Sequence, residues 1–399
     1  MNFKYKPKPY FKERIESLLE NKQDIKQFWE ISKKGIQKSI RCNTLKISIE
    51  NLKEKLESKG WKINQPFNEF PEIMIIENNL NPGELGRAIE HLLGYYYVQE
   101  IASMMPPLAL NPKPGEIILD LCSSPGSKTT QMSSMMENQG TIIANDNKLG
   151  RISILNTNLE RCGVSNTIIT RNDGVQLCKR LESINMKFDK ILTDVPCSGE
   201  GNLRSSPKTL QMWNPKVIKI LSKQQQKLAS SALKLLKVGG TMIYSTCTHS
   251  PEENEQVLQH LKENFNIEIE KISLPIKCRP GLTEWEKPSM KKEEKENNTL
   301  NELNDHQMLG DNKTLRKGVG SSEYNKKDND DNFSSHKRGG REFTRGDKNR
   351  PTSEGSSWEG FYDEKKNITF DQEIKNACRI WPQDNNTEGF FLAKIRRLG

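Results

Sequence analysis

GEIILDLCSSPGSKTTQMSSMME, residues Gly115–Glu137, decides the fold. The run Glu116-Ile-Ile-Leu-Asp-Leu121 is a short apolar segment that reads as a buried strand. It enters a loop of small residues, Cys122–Lys128, and the spacing then predicts a helix to about Glu137. Small residues let the backbone approach a ligand, and a helix N-terminus offers unpaired N–H donors. The loop carries no G-x-x-x-x-G-K-S/T and no G-x-G-x-x-G, so neither a triphosphate loop nor a dinucleotide fingerprint is supported. Alone it is a weak signal.

The surrounding pattern strengthens it. Strands are predicted at Thr141–Asn145, Asn166–Thr170, Phe188–Asp194 and Gly240–Ser245, with helices between them at about 148–161 and 215–236. Another helix is predicted to start at Pro251-Glu252. Strands alternating with helices predict an α/β, doubly wound, Rossmann-like parallel sheet. In such sheets ligands collect at the carboxyl ends of the strands. Three aspartates stand there in successive crossovers: Asp146, Asp173 and Asp194. One such aspartate is usually a helix cap. Three at one edge suit a ligand with a ribose for Asp146 and an adenine amino group for Asp173. S-adenosylmethionine, an adenosine without phosphate, fits that description. Two thiols join the same edge, in Pro196-Cys197 and Thr246-Cys247. A thiol beside a methyl donor suggests covalent catalysis on an electron-poor ring.

Upstream, residues 9–100 read as a small α+β unit. A helix is predicted over Phe11–Phe28, a strand over Ser39–Leu45, a helix over Ile47–Lys59 and a strand over Ile73–Ile76. The Tyr- and Met-rich stretch Gly94–Leu108 reads as packing between this unit and the sheet. Downstream, Glu286–Glu359 is rich in Asn, Lys, Asp, Ser and Gly and too poor in apolar residues to offset its ordering entropy, so it is expected to be a disordered insertion. Within it His336–Gly346 mixes Arg, Gly and one Phe, which reads as a solvated linker or an RNA-binding tail. Gly389–Ile395 is predicted to be a strand that rejoins the sheet.

The chain has 399 residues, and 61 Lys+Arg against 52 Asp+Glu give a formal charge of +9. That bias suits a polyanion or a merely solubilising surface. Eight cysteines without a signal pattern predict a reducing, intracellular compartment and free thiols. No C-x-x-C pair occurs, so no zinc site is expected. No apolar run approaches the roughly 18 residues of a membrane span.

Five segments, in order, carry a resemblance: Gly94–Leu110, Asp120–Thr129, Asp194–Gly201 (DVPCSGEG), Tyr244–Glu255 (YSTCTHSPEENE) and Glu388–Ile395 (EGFFLAKI). In them the chain resembles the RNA cytosine-5 methyltransferases of the Nop/Sun type. Arg41-Cys-Asn-Thr-Leu-Lys46 looks like part of that family's N-terminal RNA-binding module. The resemblance implies three segments: a module over 1–100, a methyltransferase domain over 101–285 and 360–399, and the insertion 286–359. It implies Cys247 as the nucleophile toward cytosine C6 and Cys197 as the group that helps expel the enzyme. Asp194 would hydrogen-bond the cytosine edge. S-adenosylmethionine would be held by Cys122, Ser123, Ser124, Pro125, Gly126, Ser127, Lys128, Asp146, Arg151, Asp173 and Asp194.

This chain departs from the family loop at Ser123, Ser124 and Ser127, which replace two alanines and a glycine. Serine is tolerated unless the backbone at Ser127 needs φ > 0. Val195 replaces an alanine before Pro-Cys. The implied substrate is RNA with the target base out of any stack. Transfer RNA is favoured over ribosomal RNA by the compact N-terminus and the ending Trp381–Phe391; no membrane and no obligate protein partner are implied, and the cytoplasm is the expected place. Three other readings differ in kind. A DNA cytosine methyltransferase would attack with Cys197, a non-catalytic RNA-binding assembly factor would not need Cys247 or Asp146, and an N-methyltransferase would need Asn-Pro-Pro-Tyr after the fourth strand.

Overall fold

Local capping decides the first departure from the expected elements. In the computed structural model, which describes residues 5–289 and 366–399, the helix expected over Phe11–Phe28 is two helices, Pro9–Glu16 and Lys22–Ile31. The Asn21 side chain accepts the N–H groups of Gln23 and Asp24, both at 3.0 Å, and so starts a new helix. Strand β1 (Lys38–Cys42) follows, then a helix at Ile49–Glu57 capped by Ser48. Strands β2 (Ile63–Asn64), β3 (Ile73–Ile76) and β4 (Tyr96–Val98) complete an antiparallel sheet in the order β2-β3-β1-β4. Ile40, Leu52, Leu56, Trp61, Met74 and Tyr96 fill its core.

The main sheet contains β5 (Ile117–Asp120), β6 (Thr141–Asp146), β7 (Thr167–Arg171), β8 (Phe188–Asp194) and β9 (Leu236–Thr246), all parallel. Then come β10 (Ile267–Glu270), β11 (Arg279–Pro280), β12 (Glu284–Lys287), β13 (Lys366–Thr369), β14 (Cys378–Ile380) and β15 (Phe390–Arg397). The order is β11-β14-β15-β9-β8-β5-β6-β7, with β10 also on β15. Chain direction across the sheet reverses between β5 and β8, which is where ligands bind in such folds. Successive residues alternate between two cores. Ile118, Ile142, Leu192 and Ile243 face one layer of helices, and Leu119, Ile143, Ile191 and Met242 face the other.

The strand expected after the insertion is present. It runs antiparallel to β9 with Phe391 opposite Thr246, which carries Glu388–Phe390 to the end of β9. β9 starts earlier than expected, because a register irregularity opposite Phe188–Lys190 lets Leu236 pair before Gly239 and Gly240. The helix expected at Pro251 starts at Glu255 instead, since Pro251–Asn254 form a turn. Gly94–Leu108 joins the two sheets as expected. Tyr96 is buried in the N-terminal core, whereas Met104 and Met105 pack with Ile380, Phe390 and Leu392.

Two expectations need correction. Glu286 and Lys287, assigned to the insertion by composition, belong to β12, which pairs with β13 and buries Trp285. Residues 290–359 of that stretch, with His336–Gly346, lie outside the described residues. The expectation of free thiols fails for one pair: Cys278 and Cys378 form a disulfide, while six cysteines are free. The cause is strand pairing, because Pro280 sits opposite Cys378 and brings residues 100 apart in sequence side by side. No described helix is long and apolar enough to cross a membrane.

The described residues of the N-terminal segment and the main sheet fall in one compact unit. Buried ion pairs join them. Arg14, 3% exposed, donates to both carboxylate oxygens of Glu252 at 3.0 and 2.6 Å, and Arg279 joins Asp24 to Asp384.

Candidate active site

The loop after β5 is bound through its serines. Ser123 donates both its N–H and its hydroxyl to the Asn145 carbonyl, at 2.8 and 2.9 Å. The Ser124 hydroxyl donates to the Arg151 carbonyl at 2.8 Å, and the Arg151 guanidinium donates to the Ser124 carbonyl at 2.5 Å. Gly126 takes the left-handed conformation, φ +102°, and Ser127 opens the helix Ser127–Met135 with ordinary helical φ. The serine substitution at 127 is therefore compatible with the turn, and the strained position is Gly126.

Asp146 accepts from the Lys148 N–H at 3.0 Å and pairs with Arg151 at 3.1 Å. Asp173 is exposed and caps the helix Gly174–Ser183, accepting from the Gln176 N–H at 3.1 Å. Both stand at the carboxyl edge of the sheet as the sequence predicts. Neither they nor Arg151 line the cavity of about 250 Å³ beside the loop, which is walled by Cys122–Pro125, Ser127, Lys128, Asp120 and Asp194.

Asp120 is a residue that sequence reasoning missed. It is 1% exposed; its Oδ2 accepts from Thr129 at 2.7 Å, and its Oδ1 has no hydrogen-bond partner among the described residues. Burial pushes its carboxyl up to about 7. An unpartnered acceptor in this wall suits a cationic ligand group such as the ammonium of S-adenosylmethionine, so the residues present fit that cofactor. Burial also pushes the Cys122 thiol up, which makes it a poor nucleophile.

Lys128 does more than the sequence assigns it. Its Nζ lies 2.8 Å from Asp194 Oδ2, donates to Ser103 Oγ at 3.1 Å and stands 5.3 Å from the centre of the Phe390 ring. The Ser245 hydroxyl donates to Asp194 Oδ1 at 2.8 Å. One turn after β8, Cys197 Sγ lies 3.0 Å from Cys247 Sγ. Cys247 Sγ also accepts from the Asn202 side-chain amide at 3.2 Å. The Cys247 thiol is held below its ordinary range, first by the hydrogen bond from Cys197, with the Asn202 amide and the Lys128 charge adding to it against burial. The same bond and burial push the Cys197 thiol well up. The opposite directions of the two shifts favour Cys247 as the acceptor of the sulfur pair and Cys197 as its donor.

The two cysteine loops are tied to each other. The Gly201 N–H donates to the Cys247 carbonyl and the Gly389 N–H to the Gly201 carbonyl, both at 2.9 Å. A Cβ at Gly201 would lie 2.2 Å from the Gly389 oxygen, so only glycine fits. Glu253, fully buried, accepts from the Ser198 N–H at 3.0 Å and from Gln225 at 2.7 Å. A second cavity, about 410 Å³, opens over Cys247, Asp194, Lys128 and Phe390. The start of β1 and its approach, Ile36–Ser39, form part of its wall, as do Val195, Glu100 and Glu388. Sequence reasoning assigned no role to Asn202 or Ser103. Their signal is spatial, since neither lies in a motif with its partner.

Residues 107–302 match the family described as 16S rRNA methyltransferase RsmB/F, and residues 8–101 match the N-terminal domain of 16S rRNA methyltransferase RsmF. The chain is 40% identical over 374 residues to a tRNA (cytosine(49)-C(5))-methyltransferase of Pyrococcus abyssi, covering 94% of this chain and 92% of that protein. It is also 40% identical over 266 residues to ribosomal RNA small subunit methyltransferase F of Vibrio campbellii, but spans only 55% of that protein's length. A solved methyltransferase homologue from Pyrococcus horikoshii superposes with a TM-score of 0.66 at 28% identity, over 96% of this chain and 92% of that one. NSun6 from the same organism, solved with SFG, shares the fold at a TM-score of 0.66 and 20% identity, over 98% of each chain. The chain belongs to the RsmB/F family of S-adenosylmethionine-dependent RNA cytosine-5 methyltransferases.

Proposed function

We propose that this chain forms 5-methylcytosine in transfer RNA through a covalent bond between Cys247 and C6 of the target base. The observation that carries this reading is the sulfur pair, with Cys197 Sγ 3.0 Å from Cys247 Sγ at the cavity that also holds Asp194. Cys247, held as thiolate, adds to C6, and the electron pair of the C5–C6 bond moves to C5. Asp194, supported by Lys128 and Ser245, holds the pyrimidine edge and favours the form in which C6 is electrophilic. S-adenosylmethionine supplies the methyl group when bound. Solvent then takes the C5 proton, the C–H electron pair re-forms the C5–C6 double bond, and the C6–S pair leaves with Cys247, whose departing thiolate the Cys197 thiol stabilises by donating to it. A DNA-type arrangement, with Cys197 attacking, is disfavoured by the direction in which the two thiols are shifted.

Transfer RNA is preferred because the likeness to the archaeal transfer-RNA enzyme extends over 92% of that protein, against 55% of the ribosomal one. The loop Cys122–Lys128, with Asp120, Asp146, Arg151 and Asp173, would hold the cofactor at the edge of β5, β6 and β7. Segment 1–100 would bind RNA, 101–285 and 360–399 would carry the chemistry, and no obligate protein partner would be needed. A cytoplasmic place of work follows from the substrate.

The test is Cys197→Ala incubated with S-adenosylmethionine and total RNA, followed by a denaturing gel and sequencing of the attached RNA. The expected product is a transfer-RNA adduct that disappears in the Cys197→Ala/Cys247→Ala double variant. Trapped ribosomal RNA would move the substrate, and no adduct would overturn the mechanism.

A further inference from the structure

The Arg41–Lys46 stretch resembles part of an RNA-binding module, yet Arg41 and Asn43 point inward. Arg41 and Asn43 are each 3% exposed. The Arg41 guanidinium donates to the Ser127 carbonyl at 2.9 Å, to Thr130 Oγ1 at 2.9 Å and to Gln131 Oε1 at 3.3 Å, and it also bonds Gln99 Oε1. The Tyr97 ring lies against it, 5.6 Å from ring centre to guanidinium carbon. Every acceptor is neutral. Burial of a guanidinium without a carboxylate partner is costly, and a cation at the N-terminal end of a helix is disfavoured by the macrodipole. Stability of the helix Ser127–Met135 therefore does not explain why Arg41 is there.

The first turn of that helix does. Its consecutive side chains divide the site between them: Lys128 reaches Asp194 and Ser103, and Thr129 reaches Asp120. Ser127 and Thr130, on either side, are two of the points Arg41 grips. Fixing those two fixes the direction of the two between them and the end of the loop that precedes them. The same strand, β1, opens with Lys38 and Ser39 in the wall of the cavity over Cys247.

We propose that Arg41 is a positioning residue for the cofactor loop, so that the N-terminal segment forms part of the S-adenosylmethionine site as well as the RNA side. The proposal rests on the reading of that loop as the cofactor site. It is tested by calorimetric titration of S-adenosylmethionine into the full-length chain and by steady-state kinetics. The variants are Arg41→Lys, Thr130→Val and, as a control, Asn43→Ala. Asn43 secures the same interface, donating to the Gly94 and Cys162 carbonyls at 2.8 and 2.7 Å, without touching the helix.

Arg41→Lys keeps the charge but cannot reach all four acceptors at once. It should raise Kd and KM for the cofactor about tenfold, the size of one lost charge-assisted bond. Thr130→Val should raise them about threefold on the same scale. The RNA KM should stay within twofold for both, and Asn43→Ala should lower Tm with the cofactor Kd unchanged. Cofactor affinity within twofold of wild type in both Arg41→Lys and Thr130→Val would overturn the proposal. Equal weakening by Asn43→Ala would also overturn it, because interface stability would then suffice. A wild-type chain that binds no S-adenosylmethionine would remove the proposed activity itself, and this inference with it.

Discussion

Lys128 Nζ lies 2.8 Å from Asp194 Oδ2, so the first turn of the helix after β5 and the last residue of β8 share one ion pair in the wall of the cavity over Cys247. The pair is partly buried, with side-chain exposures of 10% and 27%. Asp194 therefore has its carboxylate aimed by a cation on one oxygen and a hydroxyl on the other.

Loss of either partner should act on the chemical step. Asp194→Asn keeps the shape and removes the charge, and Lys128→Met removes the cation. Each should lower kcat by roughly 10²–10⁴, the range of positioned acid–base and electrostatic groups. Single-turnover methyl transfer measures this. The double variant should cost little more than the worse single one, since the two act as a unit.

Asn202→Ala removes a hydrogen bond to the Cys247 sulfur together with one polar side chain from the wall of the cavity. The thiol should then titrate at higher pH, and the acid limb of the kcat/KM profile should move up by about one unit. An unmoved limb would mean that Cys197 alone sets the thiolate.

Glu253 governs a pH dependence of stability. Burial raises its carboxyl from the ordinary 4.5 to about 7, so between those values the folded chain holds the proton more tightly than the unfolded one. Its contribution is complete below pH 4.5 and is lost as pH rises through 7. Both donors, Ser198 N–H and Gln225, reach Oε2, while Oε1 has no partner. Glu253→Gln can therefore keep both bonds through its carbonyl. It should raise stability at pH 8 by on the order of 2–3 kcal/mol and change it little at pH 4.5. Denaturant unfolding at the two pH values checks the sign.

The Cys278–Cys378 bond closes a separation of 100 residues. Thiol titration of the denatured chain should find six free thiols, and eight after reduction. Cys278→Ser should cost about 2–5 kcal/mol, the usual range for a native bridge over a long loop. Eight thiols without reductant would remove the bridge.

Much of the site was legible because its signals are local. Cys197, Cys247, Asp146 and Asp194 each end an apolar strand pattern, and strand ends of a parallel sheet share one edge whatever the rest of the chain does. The cofactor loop declared itself by small residues at a strand–helix junction. The N-terminal helix was misjudged as one because Asn21 interrupts a pattern whose apolar spacing continues through it. The inward direction of Arg41 was not legible, because a basic residue on a short strand says nothing about which way it points.

The sequence alone located the alternating strands and helices of the parallel sheet, the edge at which the candidate residues gather and the two thiols at that edge. Alternating apolar runs and strand-end residues encode those directly, through burial and chain connectivity. Only the tertiary structure decided which side chains meet. The pairing of Lys128 with Asp194, of Asn202 with Cys247 and of Cys278 with Cys378 joins residues 66, 45 and 100 positions apart. It likewise placed Arg41 in a buried grip on the helix Ser127–Met135. Such contacts depend on how sheets and helices pack in three dimensions, and no periodicity along the chain records them.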